Sequence, residues 1–276
     1  MGEQAAQRRE PPRFDSLVRC LAKSAPLLEA LRDGPEYKGE LAAELGVSKS
    51  TVYNQTRELR QQSLVEQTSD GYRLTNRGHL HAELYRDAMS LSKGIYGAGP
   101  LLEGVPTDEL PPTSVIRDAE VVTTETSPEA PLNAFLEWLD RAEHVSGLAA
   151  LVYPRSVDAL ATKLDAELLT VDLVIESATL DSLVEHHRTD CRAVIRSAES
   201  VVAVTDDSLP FGLFIVDAPD ENIEVGVTTY TERGHICSFG RMTSDESIEW
   251  ARNVRKRYRS RARPIAATDH VSLLER

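Results

Sequence analysis

The sequence predicts an α+β chain in two parts, an N-terminal winged helix-turn-helix followed by a mixed α/β domain. Three observations predict it. The first eighty residues run helix, helix, sharp turn, helix, hairpin. From residue 132 onward, apolar strand-like runs alternate with amphipathic helical ones, and an order of that kind places helices on a mixed sheet. The charge is also divided: residues 1–90 carry 13 basic and 13 acidic side chains, whereas residues 91–276 carry 18 basic against 31 acidic, so the whole net charge of −13 lies in the second part. Two domains suit a length of 276 residues.

Residues 14–33 place Leu17, Leu21, Leu28 and Leu31 on one helical stripe, with Pro26 expected to interrupt it and Gly34-Pro35 to stop it. A short helix over residues 38–45 ends at Gly46, which turns the chain sharply in the left-handed conformation. Ser48 is placed to cap a helix over residues 49–62 whose inward positions are Val52, Thr56 and Leu59. Residues 65–74, with Asp70-Gly71 at the turn, read as a hairpin. A further helix spans residues 76–92, with Leu80, Leu84, Met89 and Leu91 apolar; it pairs with a second copy or packs on its own domain.

Helix geometry then selects candidate contacts. If Val52, Thr56 and Leu59 face inward, Lys49, Ser50, Tyr53, Asn54 and Arg57 face outward, in the part of such a helix that enters a major groove. Asn54 matches adenine at two atoms, and Arg57 matches guanine or phosphate. Ser48, Ser50 and Thr51 sit where helix N-terminal amides favour phosphate. Tyr72 and Arg73 are expected to reach the backbone or minor groove from the hairpin. The partner expected is double-stranded DNA. The alternative is a winged helix acting by protein contact alone.

The run ELAAELGVSKSTVYNQTRELRQQSLVEQTSDGYRLTNRG resembles the winged-helix domains of archaeal and bacterial repressors. That resemblance covers roughly residues 15–80 and implies DNA binding, with a homodimer reading two half-sites.

Residues 97–131 are loose and rich in glycine, proline and acid, which predicts a connector between a first domain at 14–96 and a second at 132–264; VIRDAEVVTT reads as one or two strands within it. The second domain reads as a helix (132–143), strand (147–153), helix (154–167), strand (168–177) and one or two helices (178–198). Four strands and a closing helix at 244–260 follow. Its motifs, notably Leu209-Pro210-Phe211-Gly212-Leu213 and the closing Trp250…Tyr258 helix, resemble the effector domain of the methanogenesis regulatory protein family over roughly residues 130–264. A more distant similarity is to archaeal sugar-sensing regulators with a phospholipase-D-like domain, but the His-x-Lys pattern of that fold is absent. The family resemblance implies control by a small-molecule effector. Parallel sheets leave a crevice at their strand C-termini, so Tyr153, Arg155, Glu176 and Phe211 are the effector-site candidates. A structural salt bridge is the plainer role for Arg155.

No phosphate loop, dinucleotide fingerprint, nucleophile elbow or metal-spaced cysteine set is present, so neither an enzyme nor a cofactor is expected. His186, His187 and Cys191 read as a polar helix end rather than a metal site. Cys20, Cys191 and Cys237 are too scattered for a disulfide framework, and no apolar run is long enough to span a membrane, which together suggest the cytoplasm. Only six of the 31 basic residues are lysines, in a chain rich in Asp and Glu, a balance that suits a halophile or, more plainly, a GC-rich genome that favours Arg codons. The basic closing helix, Arg252 to Arg263, pairs with neighbouring carboxylates or approaches DNA.

Overall fold

In the computed structural model, which describes residues 14–117, 119–186, 188–218 and 222–265 (backbone only for 186, 188, 190 and 196), the chain divides into two units, Met1–Ser90 and Leu91–Arg276. The first holds α1 (Phe14–Ala30), α2 (Lys38–Glu44), α3 (Lys49–Gln61) and a hairpin of β1 (Val65–Thr68) and β2 (Gly71–Leu74). Helix α4 (Asn76–Gly97) follows and runs across the division.

Contrary to the expected break, α1 passes through Pro26 without interruption. An internal proline costs about 3 kcal/mol. Leu27, Leu28 and Leu31, just beyond it, are fully buried, and burial of three leucines returns about 5–9 kcal/mol. Packing therefore outweighs the lost hydrogen bond. The core of this unit joins those residues to Leu17, Leu21, Leu41, Val52, Leu59, Leu64 and Leu74.

Between α2 and α3 the chain turns at Gly46, whose φ is +64°, while the Val47 amide donates to the Ala42 carbonyl at 3.1 Å. A side chain there would be strained, so glycine fixes the angle between the two helices. The hairpin gains a third backbone partner: the Glu36 and Tyr72 amides each donate to the other's carbonyl at 2.9 Å.

The second unit holds α5 (Gly99–Glu103), a turn of 3-10 helix (Thr107–Glu109), α6 (Thr113–Arg117), β3 (Glu120–Thr123), α7 (Ala130–Leu139), β4 (His144–Ala149), α8 (Pro154–Asp165) and β5 (Thr170–Glu176). It continues with α9 (Ser177–His186), α10 (Arg188–Arg196), β6 (Ser200–Thr205), β7 (Gly212–Asp217), β8 (Ile223–Tyr230), β9 (Ile236–Met242), α11 (Asp245–Arg259) and β10 (Arg263–Pro264).

Its strands form one eight-stranded sheet in the order β10-β6-β5-β4-β7-β8-β9-β3. β4, β5 and β6 are parallel, and the remaining pairings are antiparallel. Helices α7 to α10 cover one face through Phe135, Val157, Leu160, Leu180 and Val194. α5, α6 and α11 cover the other through Leu101, Val115, Ile248, Trp250 and Val254. Strands buried on both faces read as continuous apolar runs, as GLAALV does. Residues 97–131, expected as a connector, contribute buried Leu101, Val105 and Val115 and the edge strand β3.

Candidate functional site

Helix α3 begins at Ser48, whose Oγ accepts from the Thr51 amide at 3.1 Å and lies 2.7 Å from Ser50 Oγ and 2.9 Å from Thr51 Oγ1. The cap satisfies one amide that a helix start leaves without a partner. Val52, Thr56 and Leu59 are buried beneath the helix, and the Thr56 hydroxyl donates to the Val52 carbonyl at 2.8 Å. The opposite face is open: Lys49, Ser50, Tyr53, Asn54 and Arg57 are exposed, Tyr53 by 48 %, and Thr51 is half-buried.

Lys38 and Arg60, which the sequence reading passed over, join this surface. Lys38 Nζ lies 5.1 Å above the Tyr53 ring, a cation–π contact that adds a positive charge to this face. Only the tertiary approach of α2 to α3 brings the two together. Arg60, at the helix end, donates to Gln67 of the wing at 3.4 Å. Glu58, the acid within α3, is paired with Lys23 at 3.0 Å.

In the wing, Arg73 is exposed and pairs with Glu66 across the hairpin at 2.7 Å. Tyr72 differs from expectation. It is 7 % exposed and belongs to the core of the unit. Strand side chains alternate between faces, so with Leu74 inward Tyr72 is inward too, and it supports the wing rather than projecting from it.

The effector candidates disperse. Glu176, at the C-terminal end of β5, lines a groove of about 600 Å³ with Leu151, Val152, Pro154, Thr179 and Ser182. Its Oε1 accepts from the Leu209 amide at 2.6 Å. Arg155 is exposed in the first turn of α8, next to that groove. Tyr153 is half-buried; its hydroxyl donates to the Gly234 carbonyl at 2.7 Å and accepts from the Ile236 amide at 2.8 Å, tying α8 to the β8–β9 turn. Burial raises the Tyr153 phenol above its ordinary pKa, and raises neighbouring Tyr230 further, so both stay neutral donors. Phe211 is 1 % exposed and packs with Leu213 and Ile215 in the core under α11, so it does not line the groove as an effector contact.

A second groove, of about 370 Å³, lies over Trp138, Phe239, Arg141 and Arg241. Beneath it buried Glu224 accepts from Trp138 Nε1 at 2.5 Å and from Arg141 at 3.3 Å.

The basic segment formed by α11, the turn after it and β10 is largely paired. Arg255 and Arg259 meet Asp172, Arg257 meets Glu109, and Arg261 and Arg263 meet Asp207 and Asp206. His187 and the side chain of His186 lie outside the described residues. Among those described, no group of three His, Cys, Asp or Glu is gathered as a metal site, and none of the helices is long and apolar enough to cross a membrane.

Residues 128–261 match the family model for the middle domain of the methanogenesis regulatory protein FilR1. That match spans just under half of the chain. Ahead of it, residues 14–92 match the model of the HVO_A0261 N-terminal domain. The FilR1 match takes in the α/β unit from α7 to α11, and together the two matches mark the chain as a transcriptional regulator.

Among solved structures, TrmBL2, described as an archaeal chromatin protein with a novel mode of DNA binding, is 14 % identical over 92 % of this chain and 100 % of its own, with a TM-score of 0.40. NcsB1, an O-methyltransferase from neocarzinostatin biosynthesis, is 15 % identical over 76 % and 70 % of the two chains (TM-score 0.27). RosA, a dimethyltransferase from Streptomyces davawensis, is 18 % identical over 74 % and 68 % (TM-score 0.22). Nothing passes from these proteins to this chain. No curated protein matches the sequence.

Proposed function

We propose that the chain regulates transcription by binding specific double-stranded DNA as a homodimer, with its second unit responding to a small-molecule effector. The observation that carries the reading is the open face of α3: Asn54 and Arg57 point to solvent while Val52, Thr56 and Leu59 anchor the helix from behind. Ser48, Lys49, Ser50, Thr51 and Tyr53 complete a phosphate-and-base contact set, with Arg73 reaching from the wing. Tyr72 supports it from the core.

The homodimer is supported by α4, where Leu80 and Leu84 are 68 % and 61 % exposed and Ala88 continues the same stripe at four-residue spacing. Two copies joined there would present recognition helices to half-sites about 34 Å apart. The same stripe favours the second reading, in which a different protein docks on it and the winged helix works by protein contact alone. The effector crevice is the groove beside Glu176 and Arg155. The excess of acidic side chains and the shortage of lysine support a halophilic setting, and the three scattered cysteines support a cytoplasmic one.

Genome-wide mapping of bound sites, followed by fluorescence anisotropy with a mapped duplex, tests the reading. Tight binding to the mapped duplex over a scrambled one is expected. Equal affinity for both, or none, would leave protein contact as the function.

A further inference from the structure

The groove beside Glu176 shares two of its walls, Val152 and Leu183, with a second space. That space is a cavity of about 50 Å³ under α8, α9 and α10, lined throughout by apolar side chains such as Leu160, Leu173, Val194 and Ile195. A space lined this way holds water poorly, because water finds few partners there, and its lining lacks van der Waals neighbours on one side.

We infer that groove and cavity form one amphipathic site for a small molecule with a short, unbranched hydrocarbon tail and a hydrogen-bond-donating head, a primary alcohol or amine. The tail enters between Val152 and Leu183, and the cavity has room for about four or five carbons. The head stays in the groove, beside Ser182 and the Glu176 carboxylate. One oxygen of that carboxylate is committed to the Leu209 amide, and the other accepts from no group among the described residues. A carboxylate acceptor selects a donor head and repels an anionic one. This rests on the effector reading and names the class of effector.

The test titrates full-length protein, with methyl-labelled Leu, Val and Ile, with primary alcohols and amines from two to eight carbons, observed by NMR. Affinity should rise about fourfold per added methylene up to about five carbons, then level off. The terminal methyl of the ligand should show NOEs to Leu160 and Val194, and matched carboxylates should bind more weakly. Val194→Phe, which fills the cavity, should abolish the dependence on chain length; the wild-type NOEs decide the matter should that variant not fold. Affinity independent of chain length, NOEs confined to the groove, or tighter binding of carboxylates would overturn the assignment. A ligand that fills the cavity as expected but leaves affinity for the mapped duplex unchanged upholds this site and removes the effector reading instead.

Discussion

Gly78 of α4 packs its Cα directly against the backbone carbonyl of Leu64, so closely that a methyl group at Gly78 would overlap the carbonyl oxygen. Thr75 completes the joint, its hydroxyl donating to the Ser63 carbonyl at 2.8 Å and accepting from the Gly78 amide at 3.0 Å. The start of α4 is thereby locked to the exit of α3. Helix propensity alone favours Ala over Gly by about 1 kcal/mol, so an exposed helical site would be stabilised by the change. Here the backbone has to move, and Gly78→Ala should destabilise the first unit by about 1–3 kcal/mol. Urea unfolding followed by circular dichroism gives the sign directly.

Ser48 starts α3. Ser48→Ala removes the acceptor for the Thr51 amide and should cost about 1 kcal/mol, whereas Ser48→Asp keeps an acceptor in place and should recover most of it. Melting temperatures of the three proteins check this. Equal loss in both variants would mean that the neighbouring Ser50 and Thr51 hydroxyls, not the cap, hold the turn.

Tyr72 separates a wing that reads DNA from a wing that is merely held in place. No hydrogen bond from its hydroxyl is found among the described residues, while its ring is buried. Tyr72→Phe should therefore leave both stability and DNA affinity nearly unchanged. Tyr72→Ala should destabilise the unit by about 3–5 kcal/mol through the cavity it leaves. A Phe variant that folds normally yet binds DNA several-fold more weakly would restore the hydroxyl as a contact.

What was legible in the sequence follows the range of the interactions. α3 could be read because its cap, its turn glycine and its inward Val52, Thr56 and Leu59 are all local. The persistence of α1 through Pro26 could not, because it rests on burial against helices distant in sequence. Tyr72 was misread although Leu74 two residues later carried the signal; the bridge to Glu36, which fixes the inward face, is long-range. Phe211 fails similarly. It lies near the strand ends in sequence, but alternation along β7 sends it with Leu213 to the face under α11. Residues 97–131 looked like a connector because helices of five residues are too short to establish a period.

Base reading and phosphate anchoring predict different responses on α3. Asn54→Ala and Arg57→Ala should each cost about 1–3 kcal/mol on the mapped duplex and relax its sequence preference. Lys49→Ala should weaken binding to all duplexes alike and shallow the salt dependence by about one unit in log–log slope. Anisotropy titrations at several KCl concentrations separate the two. An Asn54→Ala protein that discriminates between sites as sharply as the parent would remove Asn54 from the reading set.

Salt acts on this chain in two opposing ways. It weakens exposed pairs such as Arg73–Glu66 and Arg32–Glu29, which contribute little in water. It also screens the mutual repulsion of 44 carboxylates set against 31 basic groups, since the Debye length shrinks from about 10 Å at 0.1 M to about 3 Å at 1 M. The unpaired acidic excess lies wholly in the second unit, where repulsion is long-ranged and opposes compaction. Screening should win, and the melting temperature should climb between dilute buffer and 2 M KCl. The isolated first unit, with its charges balanced, should respond less. A melting point highest in dilute buffer would show the ion pairs to dominate and would remove the halophilic assignment.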